Sequence, residues 1–377
     1  MFASDRPQKR SVWIVALIAS LLLAAALPTA AGYKLIWDDD GDPSGVLGLL
    51  LFLAHPEFDV VAASVCVGEA VPGPYSTRIA VMLERLGYDI PVTYGSPIPT
   101  FGNHEFPEPW RTGVTRFFNL DLCATIDCPS ALSHNIYPVP NAGNVIGDEL
   151  LALANSTDEL VLFASGPLTN VFAAFIEWYE RMPQAQIQQI ANALLHIEIM
   201  GGAVNVPGNL DDWPAWTPPN ATAEWNIWID PFAASAVFSG PAHVNMSALD
   251  VTNTILWDHD DVHVLQSYGN CVADFAATLL ESFLNSMGGG PAHCWDLTAA
   301  AMTAIRLAES GAISIGGQSW VQGLDDYCIR VDTWPPDEGW TEPCSGPVNA
   351  TVYRIDTPDQ AELVKEYILS VFAQAGP

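Results

Sequence analysis

The feature that most constrains this chain is the segment 35–48, where four carboxylates, Asp38, Asp39, Asp40 and Asp42, fall within five residues. The apolar run Leu35-Ile36-Trp37 enters it with the character of a buried strand, and Gly41 and Pro43 bend the chain. A second apolar run, 46–54, leaves it as a helix. Strand, sharp acidic turn and helix form the opening unit of an open α/β sheet, in which ligands bind beyond the carboxyl ends of the strands. Carboxylates so crowded repel one another, and they persist where a hard cation or substrate hydroxyls compensate them. The alternative is a solvated acidic turn on an acidic protein.

Further along, strands are expected at 60–67, 90–94, 159–164, 196–200, 243–249 and 352–355. Helices are expected at 77–86, from Asn170 into Trp178, from Pro231, over 262–285, from Asp296 to Leu307 and over 358–372. This alternation argues for an α/β fold: an open, mostly parallel, doubly wound sheet with flanking helices. Residues 96–145 and 203–222 are rich in Pro, Gly, Asn and Trp and read as long surface loops, the first of them overhanging the site. With no internal repeat and no linker, 32–377 reads as one domain.

The N-terminus is a separate matter. Arg6, Lys9 and Arg10 precede the apolar run 12–27, and small residues follow Pro28. This is the layout of a secretory signal peptide over 1–31, cleaved near Ala30 or Ala31, with an uncleaved anchor as the alternative. The expected location is secreted or periplasmic. Without those residues the chain carries 10 basic groups (13 less 3) against 42 acidic ones (43 less 1), a net charge of −32. Such a surface repels nucleic acid and anionic membranes. Seven cysteines in an exported chain suggest disulfides. Cys123 with Cys128 and Cys328 with Cys344 are the expected loop-closing pairs, Cys271 with Cys294 is a further option, and Cys66 reads as a buried free thiol. No Cys/His spacing suggests zinc.

The expected strand ends carry polar groups in a particular order: the acidic turn, Ser165-Gly-Pro-Leu-Thr-Asn170, Met200-Gly-Gly, Glu224-Trp-Asn226 leading into Ile-Trp-Ile-Asp-Pro231, and Trp295-Asp296. In this ordered set the chain resembles the inosine–uridine nucleoside hydrolase family, over about residues 33–373. The resemblance implies an open α/β sheet and calcium-dependent hydrolysis of the N-glycosidic bond of ribonucleosides, with a small-molecule nucleoside as partner. It places Asp38 and Asp40 on the family's opening Asp-x-Asp, with Asp40 as a calcium ligand. Ser165 falls on a metal-binding backbone carbonyl, Asp296 on the late aspartate ligand, and Asn209, Glu224 and Asn226 on groups that hold ribose hydroxyls. Calcium takes six to eight oxygens and can also bind the ribose 2′- and 3′-hydroxyls. A carboxylate beside a held water can deprotonate it for attack at the anomeric carbon, and surrounding carboxylates stabilise an oxocarbenium-like transition state.

The departures are specific. The motif's closing Asp-Asp falls on Ser44-Gly45, removing the expected base and one calcium ligand; Asp42 and Asp39 are the carboxylates positioned to take over. Glu69 stands where the family has Asn and offers another acceptor. The late His-Asp pair reads Trp295-Asp296, leaving His293, two residues upstream, as a substitute proton donor or a structural histidine. Trp225 and Trp295 are candidates to stack on the base or cap the pocket. Asn170 and Asp230 have the simpler reading of helix-start or turn residues.

Two rivals remain. The strand ending in Asp-x-Asp-Gly is similar to phosphatases of the haloacid dehalogenase type, but no lysine lies between Lys34 and Lys365 to steady a phosphate, and Asp42 replaces the usual Thr or Val. The other is a catalytically inactive calcium- or sugar-binding protein on the same scaffold. Base preference and oligomeric state, a homo-oligomer included, are left open.

Overall fold

The computed structural model describes residues 32–101, 104–212 and 215–375; the expected signal peptide lies outside them. Strand β1 (Tyr33–Asp39) is central, with β2 (Phe58–Val65) parallel on one side and β5 (Leu160–Ala164) parallel on the other. Beyond β2 lie β3 (Val92–Tyr94) and β4 (Val139–Pro140); beyond β5 lie β6 (Leu195–Met200), β7 (Val244–Ser247), β13 (Ala350–Arg354) and β10 (Gly323–Tyr327). Every pairing in this nine-stranded sheet is parallel except β10 with β13 at one edge. The chain builds outward from β1 in one direction and, from β5, in the other. The crevice at the β1/β5 carboxyl ends is therefore the switch point, where such sheets bind ligands.

Helix Pro43–Ala54 is apolar on all sides because it is sandwiched, packing against helices Trp295–Leu307 and Cys271–Ser286. A Cβ at Gly48 would stand 3.3 Å from both the Ala300 methyl and the Asp296 carbonyl, so glycine sets how closely the first two helices approach. On the other face, helices Ala142–Ala152, Thr169–Arg181 and Pro231–Phe238 cover Ile36, Leu162 and Ile197.

Several expectations need correction. The expected helix over 262–285 is two, His259–Gln266 and Cys271–Ser286, split where Gly269 takes φ +64° and Asn270 caps the second helix through Ala273 N–H. Asp258 and Asp261 form a capping box at the start of the first of these helices, and Asp261 pairs with Lys365 at 2.8 Å. Segment 96–145 contains helices Glu108–Phe117 and Leu120–Cys123, the second capped by Asn119. The hairpin β8 (Ala312–Ile315) with β9 (Gln318–Val321), and the pair β11 (Ile329–Val331) with β12 (Thr341–Pro343), went unforeseen.

Of the cysteines, Cys328 pairs with Cys344 as expected, and Cys66 is buried and free. Cys128 pairs with Cys271, not with Cys123, because the start of helix Cys271–Ser286 packs beside the 128 loop. Cys123 turns inward, its thiol against the Arg78 carbonyl, and Cys294 is a buried free thiol. No helix among the described residues is long and apolar enough to cross a membrane.

Candidate active site

β1 delivers its carboxylates to the switch point with different surroundings. Asp38 is fully buried: its Oδ1 accepts from Asn170 Nδ2 at 2.8 Å, and its Oδ2 has no hydrogen-bond partner among the described residues. Burial pushes its pKa up to about 6, against the pull of Ser64 and Asn170. Asn170, which also donates to Ser64 Oγ at 3.1 Å, thus anchors a strand-end carboxylate rather than serving only as a turn residue. Asp39 has both oxygens engaged, one by Gly41 N–H and the other by Ser165 Oγ–H, each at 2.8 Å. A Cβ at Gly45 would overlap that carboxyl, which explains glycine there.

Asp40 and Asp42 face a cavity. Asp40 Oδ2 accepts from Glu69 N–H at 3.1 Å, and a Cβ at Gly68 would collide with the Asp40 carboxyl. Asp42 caps helix Pro43–Ala54, accepting from the Ser44 N–H. The Ser44 hydroxyl donates to Asp296 Oδ2 at 2.9 Å and accepts from Asp296 N–H at 3.3 Å. Ser44 therefore ties two helix N-termini together.

On the far wall, Glu224 caps helix Trp225–Ile229. Its Oε1 accepts from Asn226 N–H (2.9 Å) and its Oε2 from Gly202 N–H (2.9 Å) and Ile227 N–H (3.3 Å). Asn226 Nδ2 donates to the Met200 carbonyl (3.2 Å) and the Ser165 carbonyl (3.4 Å), and Asn209 Oδ1 accepts from Trp225 N–H (3.2 Å). Every one of these polar groups is buried or nearly so, and elements up to 252 residues apart in sequence meet here.

Ten of the twelve residues singled out from sequence line this one cavity: Asp40, Asp42, Glu69, Ser165, Asn209, Glu224, Trp225, Asn226, Trp295 and Asp296. Asp38 and Asp39 are not in the lining. His293 is not either; its Nδ1 lies 2.8 Å from the Ile255 carbonyl. Sequence reasoning missed Phe106, Trp110, Asp212, Trp216 and Met287, and quoted Met200 only as part of a strand-end motif. The available signal was the Trp-rich composition of the two long loops, from which Phe106, Trp110 and Trp216 come. Phe106 stacks on Trp225 with centroids 4.4 Å apart and planes at 16°, and Trp110 meets Trp216 edge-on at 6.2 Å. Trp295 is held by its indole N–H on Asn253 Oδ1 at 2.8 Å. The cavity is thus polar at the strand ends and aromatic beneath the loops.

Burial first, then mutual repulsion, raises the carboxyl pKa values: Asp40 and Glu69 are pushed well up by burial and by Asp42, and so is Asp296. Asp42 and Glu224 are raised by burial, against the pull of their capping N–H groups. Among the described residues no lysine or arginine lines the cavity. Among the described residues no three His, Cys, Asp or Glu side chains already stand in a metal-holding arrangement. The donor chemistry nonetheless suits a hard cation: the groups are carboxylates and carbonyls, and the Asp38 Oδ2 is buried and unpartnered.

Comparison with known proteins agrees with this geometry. Residues 35–353 match the family model for inosine-uridine preferring nucleoside hydrolase. The pyrimidine-specific ribonucleoside hydrolase RihA of Escherichia coli O81 (strain ED1a) is 29% identical over 255 residues, covering 66% of this chain and 71% of that protein. The Citrobacter koseri protein of the same name is 30% identical over 254 residues, covering 66% and 70%. Among solved structures, an inosine-uridine preferring nucleoside hydrolase from Bacillus anthracis superposes with TM-score 0.69 at 19% identity, over 91% of this chain and all of that one. A purine-preferring ribonucleoside hydrolase from Gardnerella vaginalis gives TM-score 0.63 at 21% identity, with the same coverage. The chain is a hydrolase and belongs to the inosine-uridine preferring nucleoside hydrolase family.

Proposed function

We propose that residues 32–377 act as one domain that hydrolyses the N-glycosidic bond of ribonucleosides to ribose and free base, with calcium bound at the strand ends. What supports this reading is the polarity of the cavity, with carboxylate and amide groups at one end and aromatic rings at the other. Family members typically bind a metal. Here Asp40, Asp296, the Ser165 carbonyl and, behind them, Asp38 would hold the ion. Calcium, when bound, neutralises the clustered carboxylates and holds ribose hydroxyls.

The chain's own groups do the rest. Glu224, Asn226 and Asn209 orient the ribose. Of the two candidate bases, Asp42 is the one that faces the cavity, whereas the Asp39 oxygens are already engaged. Asp42 takes the proton of the attacking water while the glycosidic electron pair leaves with the base. Burial raises its pKa, which brings a carboxylate closer to the range in which general bases work best. The remaining carboxylates stabilise the positive charge that develops on the sugar ring. Trp225, Trp295 and Glu69 line the region where the base lies. The strongly acidic surface disfavours nucleic acid as a substrate. Export after cleavage near Ala30–Ala31 belongs to the same reading, and N-terminal sequencing of the mature protein checks it.

The test is ribose release from a panel of ribonucleosides with calcium and then with a chelator. Release that stops on chelation and returns with calcium is the expected result. No release from any nucleoside, with calcium still bound, would make the chain a binding protein on this scaffold.

A further inference from the structure

Behind the aromatic end of the active-site cavity lies a second cavity of about 250 Å³. The two share Asp42, Glu69, Trp110, Trp216, Met287 and Trp295, so they adjoin along these side chains. Beyond those shared residues the second cavity is walled by Val114 and Phe117 of helix Glu108–Phe117 and by Phe283 at the end of helix Cys271–Ser286. Val114 and Phe283 are buried, and Phe117 meets Phe283 edge-on at 6.3 Å. Among the described residues Ser286 is the one hydroxyl in this wall. For comparison, an apolar protein cavity of roughly 150 Å³ suffices to bind benzene.

Resting on the hydrolase reading above, the orientation of a bound nucleoside follows. Its ribose lies at the strand-end carboxylates and its base among the indoles, which directs the base's outer edge into the second cavity. We propose that this chamber is a substrate subsite for an uncharged aryl or branched-alkyl substituent carried by the nucleobase, so that base-modified ribonucleosides are substrates. An anionic substituent would meet Asp42 and Glu69 at the entrance. A strongly polar one would lose its hydration against Val114, Phe117 and Phe283, with little returned. An apolar group gains by leaving water there.

Gly113 offers a clean test. It lines the chamber, and a Cβ added to it meets nothing within 4 Å. Gly113 is exposed at the rim of the chamber, so Gly113→Phe adds a ring at its mouth without a clash at Cβ, and replacing a helical glycine favours the helix. The probes are adenosine with N6-benzyladenosine and cytidine with N4-benzylcytidine, each followed by kcat/KM and by calorimetric binding. In the natural protein the benzyl derivative of the preferred base is expected to match or exceed its parent. Gly113→Phe is expected to lower kcat/KM for the benzyl compound at least tenfold and leave the parent within threefold. Hydrolysis of the parent alone, or equal losses on both, overturns the subsite. Tight benzyl binding abolished by Gly113→Phe, with no turnover of any probe, supports the subsite and overturns the hydrolase reading alone. Neither binding nor turnover of any probe overturns both.

Discussion

Asp42→Asn separates chemistry from architecture at this site. Asp42 caps helix Pro43–Ala54 by accepting from the Ser44 N–H, and the same carboxyl faces the cavity. Asn caps a helix about as well as Asp, so the change costs the fold at most a few tenths of a kcal/mol through the cap. It also removes one charge from a cluster in which Asp42 raises the pKa values of Asp40, Glu69 and Asp296. In chelator, the unfolding temperature of the variant is therefore expected to equal or exceed that of the natural protein. Losing the proton acceptor is expected to lower kcat about 10²–10⁴-fold, or about 3–5 kcal/mol of barrier. Asp42→Ala loses the cap as well and should unfold with about 1 kcal/mol less stability, while being no more active than the Asn variant. Ribose-release kinetics and thermal unfolding of the same preparations decide the matter. Natural turnover by Asp42→Asn refutes Asp42 as the base, and so does an activity loss no larger than the fraction of protein unfolded.

Other expectations follow from groups outside the cavity. Glu198 is buried on β6, where Arg306, Tyr353 Oη (2.6 Å) and Thr303 Oγ1 (3.3 Å) satisfy it; Arg306→Met should cost about 3–5 kcal/mol in urea unfolding, and Glu198→Leu added to it should recover most of that. A single-variant cost below 1 kcal/mol would contradict the pairing. His55 is buried beside Tyr367 Oη at 3.0 Å, and burial lowers its pKa from 6.5 to about 4. Between those values the unfolded chain binds a proton that the folded chain refuses, so stability should fall as pH drops from about 6.5 to about 4. His55→Gln should flatten that part of the profile, and an unchanged profile refutes the assignment. Cys128–Cys271 closes 143 residues of separation, so Cys271→Ser should lower stability by about 3–5 kcal/mol under oxidising conditions. An unmoved urea midpoint would show that the bond does not constrain the unfolded chain.

The legible part of the fold was the part written in local periodicity. Leu35-Ile36-Trp37, the apolar run at 160–164 and the Ala-rich helix from Asp296 announce themselves, and the polar residues that follow each strand land at the switch point because parallel strands put their carboxyl ends on one edge. Contacts decided by distant neighbours were not legible. Cys128 lies five residues from Cys123 yet joins Cys271, because the pairing depends on where a helix 143 residues away docks. The aromatic wall was visible only as composition: nothing near Trp110 or Trp216 in sequence says which strand ends its loop covers. The break at Gly269 and Asn270 interrupts an apolar pattern whose period continues across it, so pattern alone fused two helices. Ser44 is the clearest case. Its place in the motif reads as a loss, whereas its hydroxyl bridges to Asp296.

That bridge also sets an order of events. Asp40 and Asp42 emerge early in synthesis, but Ser44 finds Asp296 only after a further 252 residues exist. Until helix Trp295–Leu307 settles against Gly48, the acidic turn lacks the wall that completes its cavity. Fragments ending before residue 296 should therefore be unable to capture sugar, however well their first strands pair. The binding centre would therefore be the last part of the chain to assemble, whatever the order in which the outer strands pair.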